Sequence, residues 1–129
     1  MGTYLYIERH IHLSKNQYKI SHYFGDKLKK TKDADRIYVV AKQMVFSEKV
    51  LSSDNSIIDN LYQMLFDNNN PITIYIDDIE EIISDSIEYG VTEVEEHTLQ
   101  LLENIVEEHK YLTEGIVNFS DISYELSIG

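Results

Sequence analysis

The stretch YLYIERHIHL, residues 4–13, alternates with a period of two. Leu5, Ile7, Ile11 and Leu13 fall on one side of an extended chain, and Tyr4, Tyr6, Glu8, His10 and His12 on the other. This is the pattern of a half-buried strand, so the chain must build a sheet with one covered face. A polar break, SKNQ, leads to YKISHYF, where Tyr18, Ile20 and Phe24 alternate with Lys19, Ser21 and Tyr23. The two segments predict an N-terminal hairpin, with His22 on its apolar side. After the charged stretch GDKLKKTKDADR, the β-rich RIYVVAKQMVF predicts a third strand, and DISYELSIG alternates again as a closing strand.

Between the third and closing strands the period changes to that of a helix. Ile57, Ile58, Leu61, Met64 and Leu65 recur at helical spacing after Ser53, Asp54 and Asn55, any of which can cap a helix that DNNNP ends. PITIYI, opened by the only proline, suits a strand entering from a sheet edge. DDIEEIISDSIEYG places Ile79, Ile82, Ile83 and Ile87 on one stripe, with acids at its start and Gly90 as its stop. Thr92 and Glu95 form a capping box for a longer helix, whose stripe of Val94, Thr98, Leu101, Leu102, Ile105 and Leu112 runs until Gly115. The expectation is an α+β fold: a mainly antiparallel sheet of N-terminal hairpin, third strand and C-terminal strand, with about three helices on one face. A length of 129 residues without a linker or repeat makes residues 1–129 one domain.

The chain has no cysteine, which excludes disulfides, zinc ribbons and thiol chemistry. Its first residues lack the apolar core of a signal peptide, and no apolar run approaches the roughly 20 residues of a membrane helix. A soluble, cytoplasmic protein is therefore expected.

Charge divides the chain in two. Residues 1–50 hold ten of the eleven basic residues against Glu8, Asp26, Asp33, Asp35 and Glu48, a balance of +5. Residues 51–129 set Lys110 alone against the other eighteen acids, a balance of -17. Phosphate binding needs clustered Lys and Arg, so such a composition repels nucleic acid over most of its surface and favours basic protein partners.

Motifs for catalysis are sparse. His10 and His12 lie about 7 Å apart on one strand face with Glu8 beside them, a spacing that can hold a metal such as zinc once other ligands join. The plainer reading is two surface histidines. His12-Leu13-Ser14 matches half of the paired His-x-Ser/Thr signature of two-histidine phosphoesterases, but the second half is missing. Asp77 and Asp78 follow a strand, without the nearby lysine of a metal-dependent nuclease. No Walker loop, GxSxG elbow or GxGxxG turn occurs. His97 and His109 fall at the flanks of the long helix's stripe, the usual place of hydrogen-bonded boundary histidines. The chain is expected not to be an enzyme.

The helices are more informative. At 100° per residue, Glu96, Glu103 and Glu107 lie within about 40° of one another, about 10 and 6 Å apart along the axis. Asp78, Glu81, Asp85 and Glu88 repeat at three to four residues on the preceding helix and give a second acidic row. Like charges at this spacing cost a few tenths of a kcal/mol per pair, and lysine almost never interleaves. An ordinary solvated face would also look acidic, but stable surface helices usually mix both signs. Outward Tyr4 and Tyr6 add rigid amphipathic area of the kind that interfaces use.

In size, composition and charge the chain resembles the small phage-encoded inhibitors called anti-CRISPR proteins, and is similar to anti-restriction DNA mimics. No motif is shared, so no family residue carries over. The resemblance implies a non-enzymatic inhibitor in a bacterial host cell, which lays its acidic helices on the basic groove of a CRISPR effector or other nuclease and blocks nucleic acid loading. The basic segment Lys27, Lys29, Lys30, Lys32, Arg36 departs from a pure DNA mimic and is available for an acidic patch or guide RNA on the target. Two alternatives are an immunity protein or antitoxin against a basic toxin nuclease, and a metal-binding phosphoesterase built on His10, His12 and the Asp77–Asp78 pair.

Overall fold

The computed structural model describes residues 3–14, 28–30, 38–50, 55–67, 70–114 and 122–129. Five strands, β1 (Tyr4–Ser14), β2 (Leu28–Lys30), β3 (Tyr38–Lys49), β4 (Ile72–Ile74) and β5 (Ile122–Ile128), form one sheet in the order β2-β3-β1-β5-β4. Every neighbouring pair is antiparallel. Three helices, α1 (Ser56–Asp67), α2 (Ile76–Tyr89) and α3 (Glu93–Thr113), complete the described fold, which is α+β.

The alternation of β1 decides which face of the sheet is covered. Leu5, Ile7 and Ile11 are fully buried and meet Phe46 of β3 and Ile122, Tyr124 and Leu126 of β5. The helices lie on this inner face: α3 packs on β3 and α1 on β5, with Leu61, Ile79, Leu102 and Ile105 closing the core. Each such side chain removed from water contributes about 1.5–3 kcal/mol. Tyr6, Glu8 and His10 are half-exposed on the outer face.

Strand order follows the depth of the hydrophobic pattern. β1 is central, and both edges of Leu5–Ile11 are occupied, one by β3 and the other by β5. The segment 18–24, expected as the second arm of the N-terminal hairpin, lies outside the described residues. So do Ser53 and Asp54, and the helix cap among the three candidates is Asn55. Its Oδ1 accepts from Ile58 N at 3.1 Å.

The β1–β3 ladder contains a bulge. Ile7 faces Phe46 but Glu8 faces Met44, so Val45 is one residue extra on β3. Because the side-chain period is two, the extra residue reverses the phase of β3 beyond it and sets Gln43, not Met44, opposite Arg9 on the inner face.

At the edge, the three residues of β4 pair with Leu126, Glu125 and Tyr124. Asn70 extends this pairing with its side chain: Nδ2 donates to Ile128 O at 3.2 Å, and Oδ1 accepts from Ile128 N at 3.1 Å. α2 stops at Gly90, whose φ of +89° is a conformation glycine adopts without steric cost.

Candidate functional site

Two kinds of charged structure sit on the helical layer. One is inside it. Arg9, on the central strand, is fully buried on the inner face and spends its donors on four groups. Nε donates to Tyr124 Oη at 3.1 Å, Nη1 to Gln43 Oε1 and Glu108 Oε2 at 3.0 Å each, and Nη2 to Ile105 O at 3.1 Å. The guanidinium carbon also lies 5.6 Å from the centroid of the Tyr124 ring. The bulge makes the Gln43 contact possible by turning that side chain inward.

His109 joins the network through Nδ1, 2.8 Å from Tyr124 Oη. The phenol oxygen thus accepts from Arg9 Nε–H and shares a second hydrogen bond with the His109 ring. Burial first, and the Arg9 charge second, hold the His109 pKa below its ordinary value, against an opposing pull from Asp77. Burial pushes the Tyr124 phenol up, with Arg9 working the other way. The network ties α3 to β1, β3 and β5 through directional bonds centred on the buried guanidinium.

A second buried tie joins the starts of α1 and α3. Glu95, 5% exposed, accepts from the Ser56 hydroxyl and from Thr92 Oγ1, the latter at 2.7 Å. Thr92 Oγ1 accepts in turn from Glu95 N at 3.3 Å, which is the expected capping box. Asn55 Nδ2 donates to Thr98 Oγ1 at 2.9 Å. The hydroxyls of Ser56 and Thr92 hold the Glu95 carboxyl below its ordinary pKa. The most buried acid of α3 is thus a helix-to-helix link.

The other charged structure is outside. Glu103 and Glu107 of α3 face Glu80 of α2 across a groove of about 400 Å3 that Ile83, Ile87 and Val106 also line, with Ser84 and Lys110. Asp78, Glu81 and Asp85 lie on the other flank of α2 and line a cleft of about 260 Å3 against Asn60 and Met64 of α1. The two acidic rows therefore serve different clefts rather than one track. Glu96 and Glu88 are exposed and line neither cleft. Asp78 is in part committed to the fold, since its carboxylate accepts from Tyr75 N at 2.8 Å and caps α2.

The outer face of the sheet carries the remaining candidates. The Tyr4 and Tyr6 rings stack with centroids 6.1 Å apart, and Tyr4 is 38% exposed. His10 Nε2 is 2.7 Å from Glu8 Oε1 and 3.9 Å from Glu125 Oε2. The His12 side chain lies outside the described residues. Among the described residues no three His, Asp or Glu side chains converge as a metal site. Asp77 and Asp78 begin a helix packed on the inner face, whereas His10 is on the outer face, so the two halves of the phosphoesterase alternative are not brought together.

Three expectations need correction. His109 is not at a boundary but 3% exposed in the core, whereas His97 is in solvent and reaches Glu48 at 3.1 Å. Ile87 and Val94, expected on buried stripes, are 60% and 59% exposed because no described element covers the turn end of the α2–α3 hairpin, which both residues flank. Arg9 was not among the expected core residues. Its signal lies in the alternation itself, because residue 9 shares the phase of Leu5, Ile7 and Ile11.

No family model, curated protein or solved structure matches this chain. Among the described residues no helix is long and apolar enough to cross a membrane.

Proposed function

We propose that this protein is a non-enzymatic inhibitor that binds the basic surface of a nucleic-acid-handling nuclease, of the CRISPR effector type, through α2 and α3, and prevents nucleic acid loading. The observation that carries the reading is the α2–α3 groove, where Glu80, Glu103 and Glu107 converge from two helices. None of the three makes an ion pair among the described residues. Carboxylates held this way repel one another and phosphate alike, and release that repulsion when Lys or Arg side chains approach. Glu96 continues the row along α3, and the stacked Tyr4–Tyr6 pair offers a separate contact area on the sheet.

Occupation of a groove that normally receives nucleic acid requires charge of the right sign and no turnover. Electrostatic association of this kind is fast at low ionic strength and weakens with salt.

The test is a pull-down from bacterial lysate at low and high salt, paired with a cleavage assay on the captured nuclease. The protein should capture the nuclease at low salt and suppress cleavage, and the triple variant Glu96→Lys, Glu103→Lys, Glu107→Lys should lose both while remaining folded. Undiminished capture by that variant would remove the acidic row from the mechanism. Capture of a cognate toxin nuclease in place of a CRISPR effector would reassign the protein as an immunity protein.

A further inference from the structure

The α2–α3 groove has a property that charge alone does not require: an apolar floor. Ile87 is 60% exposed although Ile83, one turn earlier on the same helix, packs against the core. Val106 of α3, also packed against the core, lies across from them. The result is a strip of branched side chains open to water, with Glu80 on one bank and Glu103 and Glu107 on the other. A solvated acidic face has no use for an isoleucine in its middle.

We infer that this groove seats a single amphipathic, basic α-helix of the partner protein. The inference rests on the reading above for the sign of the partner's charge and adds the form of the segment that binds. Three features select that occupant.

The walls are two helices whose backbone groups bond internally, so an extended segment would find no ladder to join and would bury its own amides unpaired. A helix brings its backbone already satisfied and lays an apolar face between the two walls. The rim selects positive charge, because three carboxylates without ion partners among the described residues outnumber Lys110 in the same lining and oppose phosphate, anionic lipid and acidic peptide. The spacing fits as well. Ile83 and Ile87, and likewise Glu103 and Glu107, are each one turn or about 6 Å apart, the repeat with which a helix presents residues at i and i+4.

In this arrangement apolar side chains of the incoming helix cover Ile83, Ile87 and Val106, and its flanking Lys and Arg side chains reach Glu80, Glu103 and Glu107. Apolar contact then supplies specificity that a row of carboxylates lacks, since any basic surface attracts the row but only a helix of matched pattern fills the floor.

The experiment uses two fluorescent peptides of about four helical turns, each of Leu and Lys in equal amounts. One has its leucines at helical spacing and the other has them in strict alternation. Affinities for the whole protein are read by anisotropy at low salt. The helically patterned peptide should bind about tenfold more tightly than the alternating one.

The decisive variant is Ile87→Glu, which adds a negative charge at a solvent-exposed position. Charge attraction alone predicts unchanged or tighter binding of a basic peptide, whereas a helix-seating groove predicts about a tenfold loss for the helical pattern. A circular dichroism spectrum like that of the unsubstituted protein establishes that the fold persists. Glu96→Lys, on the row but outside the groove, should weaken both peptides alike.

Equal affinity for the two peptides, or Ile87→Glu binding at least as tightly as the unsubstituted protein, would overturn the groove inference while leaving the charge-based reading standing. No binding of either peptide at low salt would overturn both. A dimer in sedimentation that Ile87→Glu dissociates would assign the groove to a second copy of this chain and overturn the inference as well.

Discussion

The two sides of α3 treat charge in opposite ways. On the side that faces the sheet, Glu108 meets the buried Arg9 guanidinium from a partly exposed position, and His109 and Ile105 complete a network of directed bonds. On the side that borders α2, Glu103 and Glu107 stand beside Glu80 with no ion pair among the described residues. The contrast separates charge that holds the fold from charge that is available to a partner. Inside, a polar group left without a bond costs its desolvation, and Arg9 directs its donors to four acceptors. Outside, water screens the repulsion and the groups remain free to exchange hydration for a cation.

Removal of Arg9 should cost the fold most. Arg9→Ala leaves the Tyr124 hydroxyl, Gln43 and the Ile105 carbonyl without their donor and opens a cavity, so unfolding in urea should show a loss of about 3 kcal/mol. A loss below about 0.5 kcal/mol, the ordinary range of surface substitutions, would mean that the network does not hold α3 on the sheet.

Acidification acts on the inner side as well. Burial holds the folded pKa of His109 below 6.5, so the neutral ring is the folded form. Its contribution is present above 6.5 and is lost as pH falls from there toward the lower folded value, because the unfolded state takes up the proton first. Glu95, also lowered, contributes above its ordinary value of 4.5 and loses that contribution further down. The urea midpoint should therefore fall in two stages on acidification, and His109→Gln should abolish the upper one. A single stage in both proteins would contradict the assignment of His109 as a ring held neutral by burial.

The smallest effect belongs to the outer side. Replacing Glu103 and Glu107 together by Gln should change stability by no more than a few tenths of a kcal/mol, in the stabilising direction as repulsion is relieved. Thermal melts at low and high salt would test it. A large destabilisation would place these carboxylates with Glu108 among the groups that hold the fold.

Much of this architecture was legible from the sequence because each element repeats its own period. The alternation of residues 4–13 and 122–128 marks β1 and β5, and Thr92 with Glu95 marks the start of α3. Those signals act within a few residues. The order of the strands does not, since it depends on which apolar faces meet across the whole chain. The β3 bulge was equally hidden: nothing local marks Val45 as the extra residue, yet it turns Gln43 toward Arg9.

The candidate site was legible in its acids but not in its apolar floor. Ile87 continues the isoleucine spacing of α2 and so was assigned to the core. Burial, however, requires a covering element, and the described fold supplies one for Ile79 and Ile82 but not for Ile87. Glu80 belongs to a row defined across two helices rather than along one, which the spacing within either helix does not mark.

Arg9 also sets the order in which the molecule can be completed during synthesis. Its four side-chain and backbone partners lie 34, 96, 99 and 115 residues further along the chain. A ribosome therefore delivers the cation long before it delivers Tyr124, and until then the middle strand must keep its guanidinium in water and one edge unpaired. Such long-range closure slows folding relative to a chain of local contacts. The seven-residue strand β5 acts as the latch: a nascent chain stalled before residue 122 can pair β1 with β3, but the other edge of β1 stays open and Arg9 lacks its Tyr124 partner.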